Sequence, residues 1–446
     1  MGFEDVIMTA LGLQDVVLEK VEMSQADLRL KVFVRQNRDR CACAVCGGQI
    51  GQVHEWKKRE IQGPPIGAFL YVTIHLSRLR GYCLGCTDQI RSAKVPFTHP
   101  EVENMSLAFC EWAGRLMEEM PCDAAARFFG VNSKTMWRLD QVRMEMMKPL
   151  MSLPSDIDLE KMSADEVHYR TMPKERSFLK PEIKFITNLV CYKERKVLAN
   201  ASGRDSRALE ECLRSLSPAQ LLSIKFFSVD LHDPFMLVIR RRCPNAVICA
   251  DRFHLAELCN KAFDEVRKLE FKKADESGDE FQLGMLAPHR RFVLVEREKK
   301  LTKKDLKMLD RLKELNKNIL NAMILVEHFH RVLDKTDVVE FRKSLILWYR
   351  LVRESQLRPF LKFAKTLRKY RDHVENYIKS KLTTAVSEGL NNKIKVLKRM
   401  GYGYTNEESF KNKILQRCGF LNSHYIDTTS WFWQLPVQLA QNPPAY

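Results

Sequence analysis

Ile224-Lys-Phe-Phe-Ser-Val-Asp230 and, a helix's length further on, Ala246-Val-Ile-Cys-Ala-Asp251 decide how the middle of this chain folds. Each is a short apolar run closed by an aspartate, the pattern of a buried strand that presents an acid at its end. The intervening Pro234 to Arg242 reads as a helix, so strand, helix and strand alternate as in an α/β layer. Upstream, Ile183 to Cys191 and Lys196 to Ala201 read as a strand pair, and Ser206 to Leu216 as an amphipathic helix. Glu160 to Ala164, ending at Asp165, supplies a first strand, although Lys161-Met-Ser-Ala164 is less apolar than a central strand usually is. Downstream, Leu255 to about Tyr377 is helical throughout, with Leu, Lys and Glu at amphipathic spacing around Leu301 to Phe329, and a further helix starts near Ser387.

Towards the N-terminus the pattern changes twice. Leu70, Val72, Ile74 and Leu76 share one face of a strand, behind the turn Gly63-Pro64-Pro65. Around this strand stand two knuckles, Cys43-x-x-Cys46 and Cys83-x-x-Cys86, whose separation reads as a long β-hairpin that brings four thiolates around one structural Zn²⁺. Cys41, His54 and His75 are reserve ligands. From Glu101 to Leu150 the pattern is helical. Ala124, Ala125, Ala126 and Phe129, the turn Gly130-Val131-Asn132 and a second helix with Ser133 as its N-cap outline a helix-turn-helix. That register puts Ser133, Lys134, Thr135 and Arg138 on the outward start of a recognition helix and turns Trp137 inward.

The 446 residues exceed what one hydrophobic core usually serves, and 45% apolar with 29% charged residues excludes disorder as the main state. No apolar run reaches membrane-span length, and no basic leader precedes one, so a cytoplasmic protein is expected. Thirteen cysteines then read as thiols or metal ligands. The net charge of +17 is unevenly spread: residues 351 to 400 carry 13 basic against 4 acidic side chains, whereas residues 1 to 150 carry 19 against 18. Such a local field attracts a polyanion, most commonly nucleic acid.

Asp165, Asp230 and Glu388 stand out by context. Adjacent strands ending in Asp place carboxylates a few ångströms apart, a helix packed across them can bring a third, and two Mg²⁺ ions (or Mn²⁺) would neutralise the cluster for phosphoryl transfer. The block Ser387-Glu-Gly-Leu-Asn-Asn-Lys-Ile-Lys-Val-Leu-Lys-Arg-Met-Gly-Tyr-Gly-Tyr404, followed by Phe410, resembles the C-terminal signature of DDE transposases of bacterial insertion sequences of the ISL family. Asp165-Glu166, Asp251-Arg-Phe-His254, the pattern from Arg290 to Asn318 and the paired knuckles and helix-turn-helix resemble the same family. Thr383-Thr384 departs from its pattern.

The resemblance implies an RNase H-like core whose third acid follows a long all-α insertion. It assigns Asp165, Asp230 and Glu388 as the catalytic, Mg²⁺-binding acids, with Asp251 and His254 in support. Glu166 should point away from Asp165, by strand alternation, and Asp233 should cap a helix. Asn391, Lys393, Lys395, Lys398 and Arg399 are expected to contact DNA; Tyr402 and Tyr404 can stack on an unpaired base or pack on the core.

The expected fold is therefore multidomain α+β. It comprises a zinc-ribbon-like β module (1–98), a helix-turn-helix (99–152), the first part of the core (156–254), a helical insertion (255–380), a core helix (381–425) and a tail (426–446). The expected function is a nucleoid-associated bacterial DNA transposase. It binds double-stranded element ends and target DNA as a homodimer or higher assembly, without a membrane partner. The rivals are a domesticated, non-catalytic DNA-binding regulator and an RNase H-like nuclease without strand transfer.

Overall fold

The computed structural model describes residues 3–87, 89–172, 182–230, 233–288, 302–380, 382, 385–401 and 403–428. It is a mixed α+β protein that divides into two compact units, one formed by 1–153 with 396–446 and the other by 154–395.

The first unit begins with helix α1 (Phe3–Ala10) and strands β1 (Val16–Ser24), β2 (Arg29–Gln36), β3 (Ile50–Gly63), β4 (Tyr71–Cys83) and β5 (Gln89–Ser92). The sheet order is β1-β2-β4-β3, with β5 also on β4. Alternation along β4 buries Val72, Ile74 and Leu76 against Leu30, Val32, Val34 and Ile61, with Leu11, in the turn after α1, closing the core. β3 and β4 are the expected hairpin, and their register sets Ile50 opposite Cys83. The two knuckles therefore meet at the hairpin's open end.

Helices α2 (Leu107–Glu119), α3 (Cys122–Phe129) and α4 (Ser133–Met147) follow. Gly130 ends α3 in the left-handed region at φ 66°, which spares the backbone the strain a Cβ would bring. Two expectations fail here. The N-cap of α4 is Asn132, whose side chain accepts from the Lys134 N–H, while the Ser133 hydroxyl donates to Asp123 at 2.7 Å. Trp137 does not pack inward: the buried seam runs Met136, Leu139, Asp140, Arg143, Met144 and Met147, and Trp137 lies off it, 45% exposed. It borders a cavity of about 340 Å³ with Met400 and Tyr404.

Arg143 is fully buried in this bundle and pairs with Glu118 at 2.6 Å. Gly114 makes the room, since a Cβ there would stand 2.3 Å from Arg143 Cδ.

Residues from Val396 onward return to this unit. Helix α16 (Glu407–Cys418) seats Lys413 between Asp140 and the Met117 carbonyl, at 2.7 and 2.9 Å. Asn412 donates to Glu145, Gln416 to Asp140 and Ser423 to Glu118. Tyr404 packs at 4.8 Å over Phe410; Tyr402 lies outside the described residues.

The second unit is built on β6 (Lys161–Met172), β7 (Glu182–Cys191), β8 (Lys196–Ser202), β9 (Phe226–Val229) and β10 (Val247–Ala250). The order is β10-β9-β6-β7-β8; β6, β7 and β8 run antiparallel in turn, and β9 and β10 lie parallel to β6. Helices α5 (Ser206–Leu213), α6 (Pro218–Ser223) and α7 (Asp233–Arg242) lie between the strands in sequence. The polar Ser163 is tolerated in central β6 because its hydroxyl meets that of Ser387 at 2.7 Å.

Beyond β10 the described chain is helical: α8 (Arg252–Ser277), α9 (Glu280–Leu286), α10 (Lys303–Leu315), α11 (Lys317–Leu333), α12 (Val338–Ser355), α13 (Arg358–Lys369), α14 (Arg371–Ser380) and α15 (Ala385–Met400). Phe263, Phe329, Phe341, Trp348 and Phe360 form its core, and the Trp348 indole N–H donates to the Leu325 carbonyl at 2.9 Å. Asn376 of α14 donates to the Ile248 carbonyl, tying the helices to edge strand β10. Among the described residues no helix is long and apolar enough to cross a membrane.

Candidate active site and metal centre

The sheet register alone sets the acids level. β6 pairs with β9 as Lys161↔Phe226 and Ser163↔Ser228, and β10 pairs with β9 as Val247↔Phe226. Continued along the strands, that register aligns Asp165 with Asp230 and Asp230 with Asp251. Asp251 also caps α8, its Oδ1 accepting from the Phe253 N–H at 2.7 Å. This cap orients the first turn so that His254 Nε2 hydrogen-bonds Asp230 Oδ1. Ligand atoms of Asp230, Asp251 and His254 all lie within 4.8 Å of one another, a grouping that can hold a metal ion.

The electrostatics follow from crowding acids in a partly buried site. Burial, and then the charge on Asp230, push the Asp165 carboxyl up. Asp251 rises to about 6 through burial, with Asp230 and Asp165 adding to the rise and His254 opposing it. Burial alone would lower His254, but its bond to Asp230 and the charges of Asp230, Asp251 and Asp165 raise it to about 9. The imidazolium is the cation that these carboxylates gather from within the chain.

Glu166 is half-buried, and burial together with the charges of Asp230 and Asp165 pushes its carboxyl up to about 7. Asp233 behaves as expected of a structural acid: it starts α7 and accepts from Lys369 Nζ and the Tyr370 hydroxyl at 2.6 and 2.7 Å.

Glu388 lies in the first turn of α15 and is exposed. Its helix is nevertheless held at the acids, because Ser387 meets Ser163 and Asn391 Nδ2 donates to Asp165 Oδ2. The structure thus groups Asp230, Asp251 and His254 tightly, sets Asp165 within reach of their charge, and leaves Glu388 outside the grouping. Asn391 takes a place at Asp165 that its sequence context did not suggest. Lys393, Lys395 and Arg399 are exposed and Lys398 is half-buried. In the first unit Ser133, Lys134 and Arg138 are exposed and Thr135 is half-buried; Arg138 lies 3.9 Å from Glu101.

The second centre is the four-cysteine cluster. Cys43 and Cys86 sulfurs are 4.0 Å apart and those of Cys46 and Cys83 3.4 Å, and all four lie within 4.8 Å. A tetrahedral zinc with bonds of about 2.3 Å sets sulfurs roughly 3.8 Å apart, so the donors fit. Backbone N–H groups of Val45 and Gly48 donate to Cys43 and Cys46 sulfurs, and a Cβ on Gly85 would meet Cys46 Sγ at 2.9 Å. Burial opposes ionisation of Cys43, but backbone and thiol donors bring it down to about 7, while burial and its thiol neighbours push Cys83 up to about 12. Four neighbouring thiolates need a cation. The reserve ligands lie elsewhere: Cys41 Sγ donates to the Asn37 carbonyl, His54 is edge-on to Tyr82 and His75 stacks on Phe33.

Similarity to known proteins puts the chain in a class of nucleic-acid-processing enzymes. The ISL3 family model, described as transposase, matches residues 174–414, and the chain belongs to this family of DDE transposases. It is similar to the transposase for insertion sequence element IS1001 of Bordetella parapertussis, 25% identical over 405 residues that cover 90% of this chain and 95% of that protein. It is also similar to the transposase for insertion sequence element IS1557 of Mycobacterium tuberculosis (strain CDC 1551 / Oshkosh), 21% identical over 270 residues, 56% of this chain and 58% of that protein.

Proposed function

We propose that this protein moves an insertion sequence by metal-dependent DNA cleavage and strand transfer. The observation that carries the proposal is the alignment of Asp165, Asp230 and Asp251 across three neighbouring strands in a chain of the ISL3 family. The strand order β10-β9-β6-β7-β8 supports an RNase H-like core from 156 to 254, with 255–380 as its helical insertion and 381–425 as the returning helix. The first 98 residues are then the zinc-binding β module and 99–152 the helix-turn-helix, leaving 426–446 as a tail.

Asp165 and Asp230 hold Mg²⁺ or Mn²⁺ through carboxylate oxygens, the hard donors these ions select. Glu388 supplies the third carboxylate from α15, the helix that Ser387 and Asn391 hold against β6. Ions held there would supply Lewis-acid polarisation of the phosphodiester and offset the charge that develops on its oxygens. Asn391 fixes the carboxylate of Asp165. Asp251 and His254 support the site, His254 balancing its negative charge. In the first step a water oxygen attacks phosphorus and the bond to the 3′ oxygen breaks, leaving a 3′-OH. In the second, that 3′ oxygen attacks a target phosphodiester and displaces the target's own 3′ oxygen.

Ser133, Lys134, Thr135 and Arg138 contact the terminal repeats, and Asn391, Lys393, Lys395, Lys398 and Arg399 the strand being cut. Zinc on Cys43, Cys46, Cys83 and Cys86 holds the β module. Synapsis of two ends requires at least a homodimer in the cytoplasm, at the nucleoid.

The test is cleavage and strand transfer with Mg²⁺ and DNA carrying the element's ends, by wild type, Asp230→Asn and Glu388→Gln. Both variants should lose strand transfer by a factor of a thousand or more while still binding the ends. Cleavage by Glu388→Gln at the wild-type rate would remove Glu388 from the site; binding without cleavage by wild type would make the protein a regulator.

A further inference from the structure

Between Glu354 and Asp372 the chain has no acid and six cations: Arg358, Lys362, Lys365, Arg368, Lys369 and Arg371. Most fall on α13. That helix buries Pro359, Phe360, Phe363, Ala364 and Leu367 on the insertion's core and exposes Arg358, Lys362, Lys365 and Lys369 on the opposite side. Spacings of four, three and four residues keep these four within one narrow arc of the helix.

Two observations separate this stripe from an ordinary solvated face. Arg358, Lys362 and Lys365 have no acidic partner among the described residues, whereas elsewhere in the insertion Arg331 pairs with Glu327, Lys343 with Glu340 and Arg350 with Glu354. Like charges at these spacings disfavour the helix that carries them, so folding alone gives no reason to keep them. The stripe is also anchored at one end beside the acids. Lys369 and Tyr370 both bind Asp233, three residues beyond Asp230.

We propose that the exposed face of α13 is a docking surface for duplex DNA, gripping the phosphate backbone of the target. Its cations follow one another about 5–6 Å apart along an axis of roughly 18 Å, matched to a run of phosphates. Between them stand no amide side chains that would read base edges, and phosphate contacts carry no sequence information. This suits a target, whose sequence varies, better than an element end. The inference rests on the transposase reading, but its test does not require catalysis.

The experiment measures binding of a random-sequence duplex by the full-length protein as a function of salt, with neither chelator nor added metal. The variant is Arg358→Gln, Lys362→Gln, Lys365→Gln. A control of equal charge change is Arg331→Gln, Lys343→Gln, Arg350→Gln, which removes cations already paired. The stripe variant should lose about 2.7 from the slope of log affinity against log salt and bind roughly a hundredfold more weakly at 0.1 M salt. The control should fall by much less, and affinity for a duplex with the element's end should fall less than for the random one. An unchanged slope in the stripe variant, an equal loss in the control, or a loss confined to the end duplex overturns the proposal. Unchanged melting of the variant, expected of three exposed side chains, shows that a loss is not one of folding. Failure of wild type to join DNA strands would refute the proposed function and leave this comparison of slopes intact.

Discussion

Lys413→Met tests how the first unit is held together. The Lys413 ammonium, its side chain 5% exposed, lies 2.7 Å from an Asp140 carboxylate that is 1% exposed. Removing the cation leaves Asp140 with the Gln416 amide and the Cys122 thiol but no countercharge. A buried charge stripped of its partner costs about 3–5 kcal/mol. For a unit of this size each kcal/mol moves the midpoint by roughly 2–4 °C, so unfolding of the first unit should fall by about 6–20 °C. Trp56, Trp112 and Trp137 report on this unit by fluorescence, and Trp348 on the other. The change should appear in the first unit's tryptophans and spare Trp348. Asp140→Leu combined with Lys413→Met should recover most of the loss, because a buried pair replaced by apolar side chains is close to neutral. A loss below about 1 kcal/mol in the single variant, or a double variant no better than the sum of its parts, would refute the reasoning.

Three further outcomes are expected. Cys83→Ser should reduce bound zinc from one per chain to near zero by elemental analysis, and make the β3–β4 hairpin end susceptible to protease. Metal-free protein should lose stability as pH rises. Asp251 (folded value about 6) and His254 (about 9) both bind protons more tightly folded than unfolded, so their effect falls between about pH 4 and 6 and again between 6.5 and 9. Melting temperature against pH measures this, and His254→Gln should flatten the upper window. Gly114→Ala should cost about 1–3 kcal/mol by urea unfolding, because Arg143 is held by Glu118 and cannot withdraw from the added methyl.

The parts of this fold that were legible in the sequence are those set by local pattern. Two cysteine pairs around an alternating run give the hairpin and its cluster, and apolar runs closed by Asp230 and Asp251 give buried strands with acids at their ends. Amphipathic spacing gives the helical stretch after Leu255. What escaped depends on choices between near neighbours or on distance along the chain. Asn132 and Ser133 are both good caps, and only the backbone shows that Asn132 takes the place while Ser133 turns to Asp123. Trp137 is apolar but sits one position past the buried seam at Met136. For the site, Asp251 was readable as a helper, but its place level with Asp230 follows from register, which no single segment carries. The attachment of Lys413 to Asp140 spans 273 residues and has no local sign at all.

That attachment also sets a schedule. On the ribosome Asp140 emerges long before its cation: at about 5–20 residues per second, 273 residues take roughly 14–55 s. Glu118 likewise waits for Ser423, and Glu111 for Thr428. Glu118 and Glu111 have Arg143 and Arg115 beside them throughout, but until the last tenth of the chain is made Asp140 is a buried carboxylate without its cation, and the first unit is the less stable for it. A chain cut short before Lys413 therefore carries the same weakness at Asp140 that Lys413→Met would introduce.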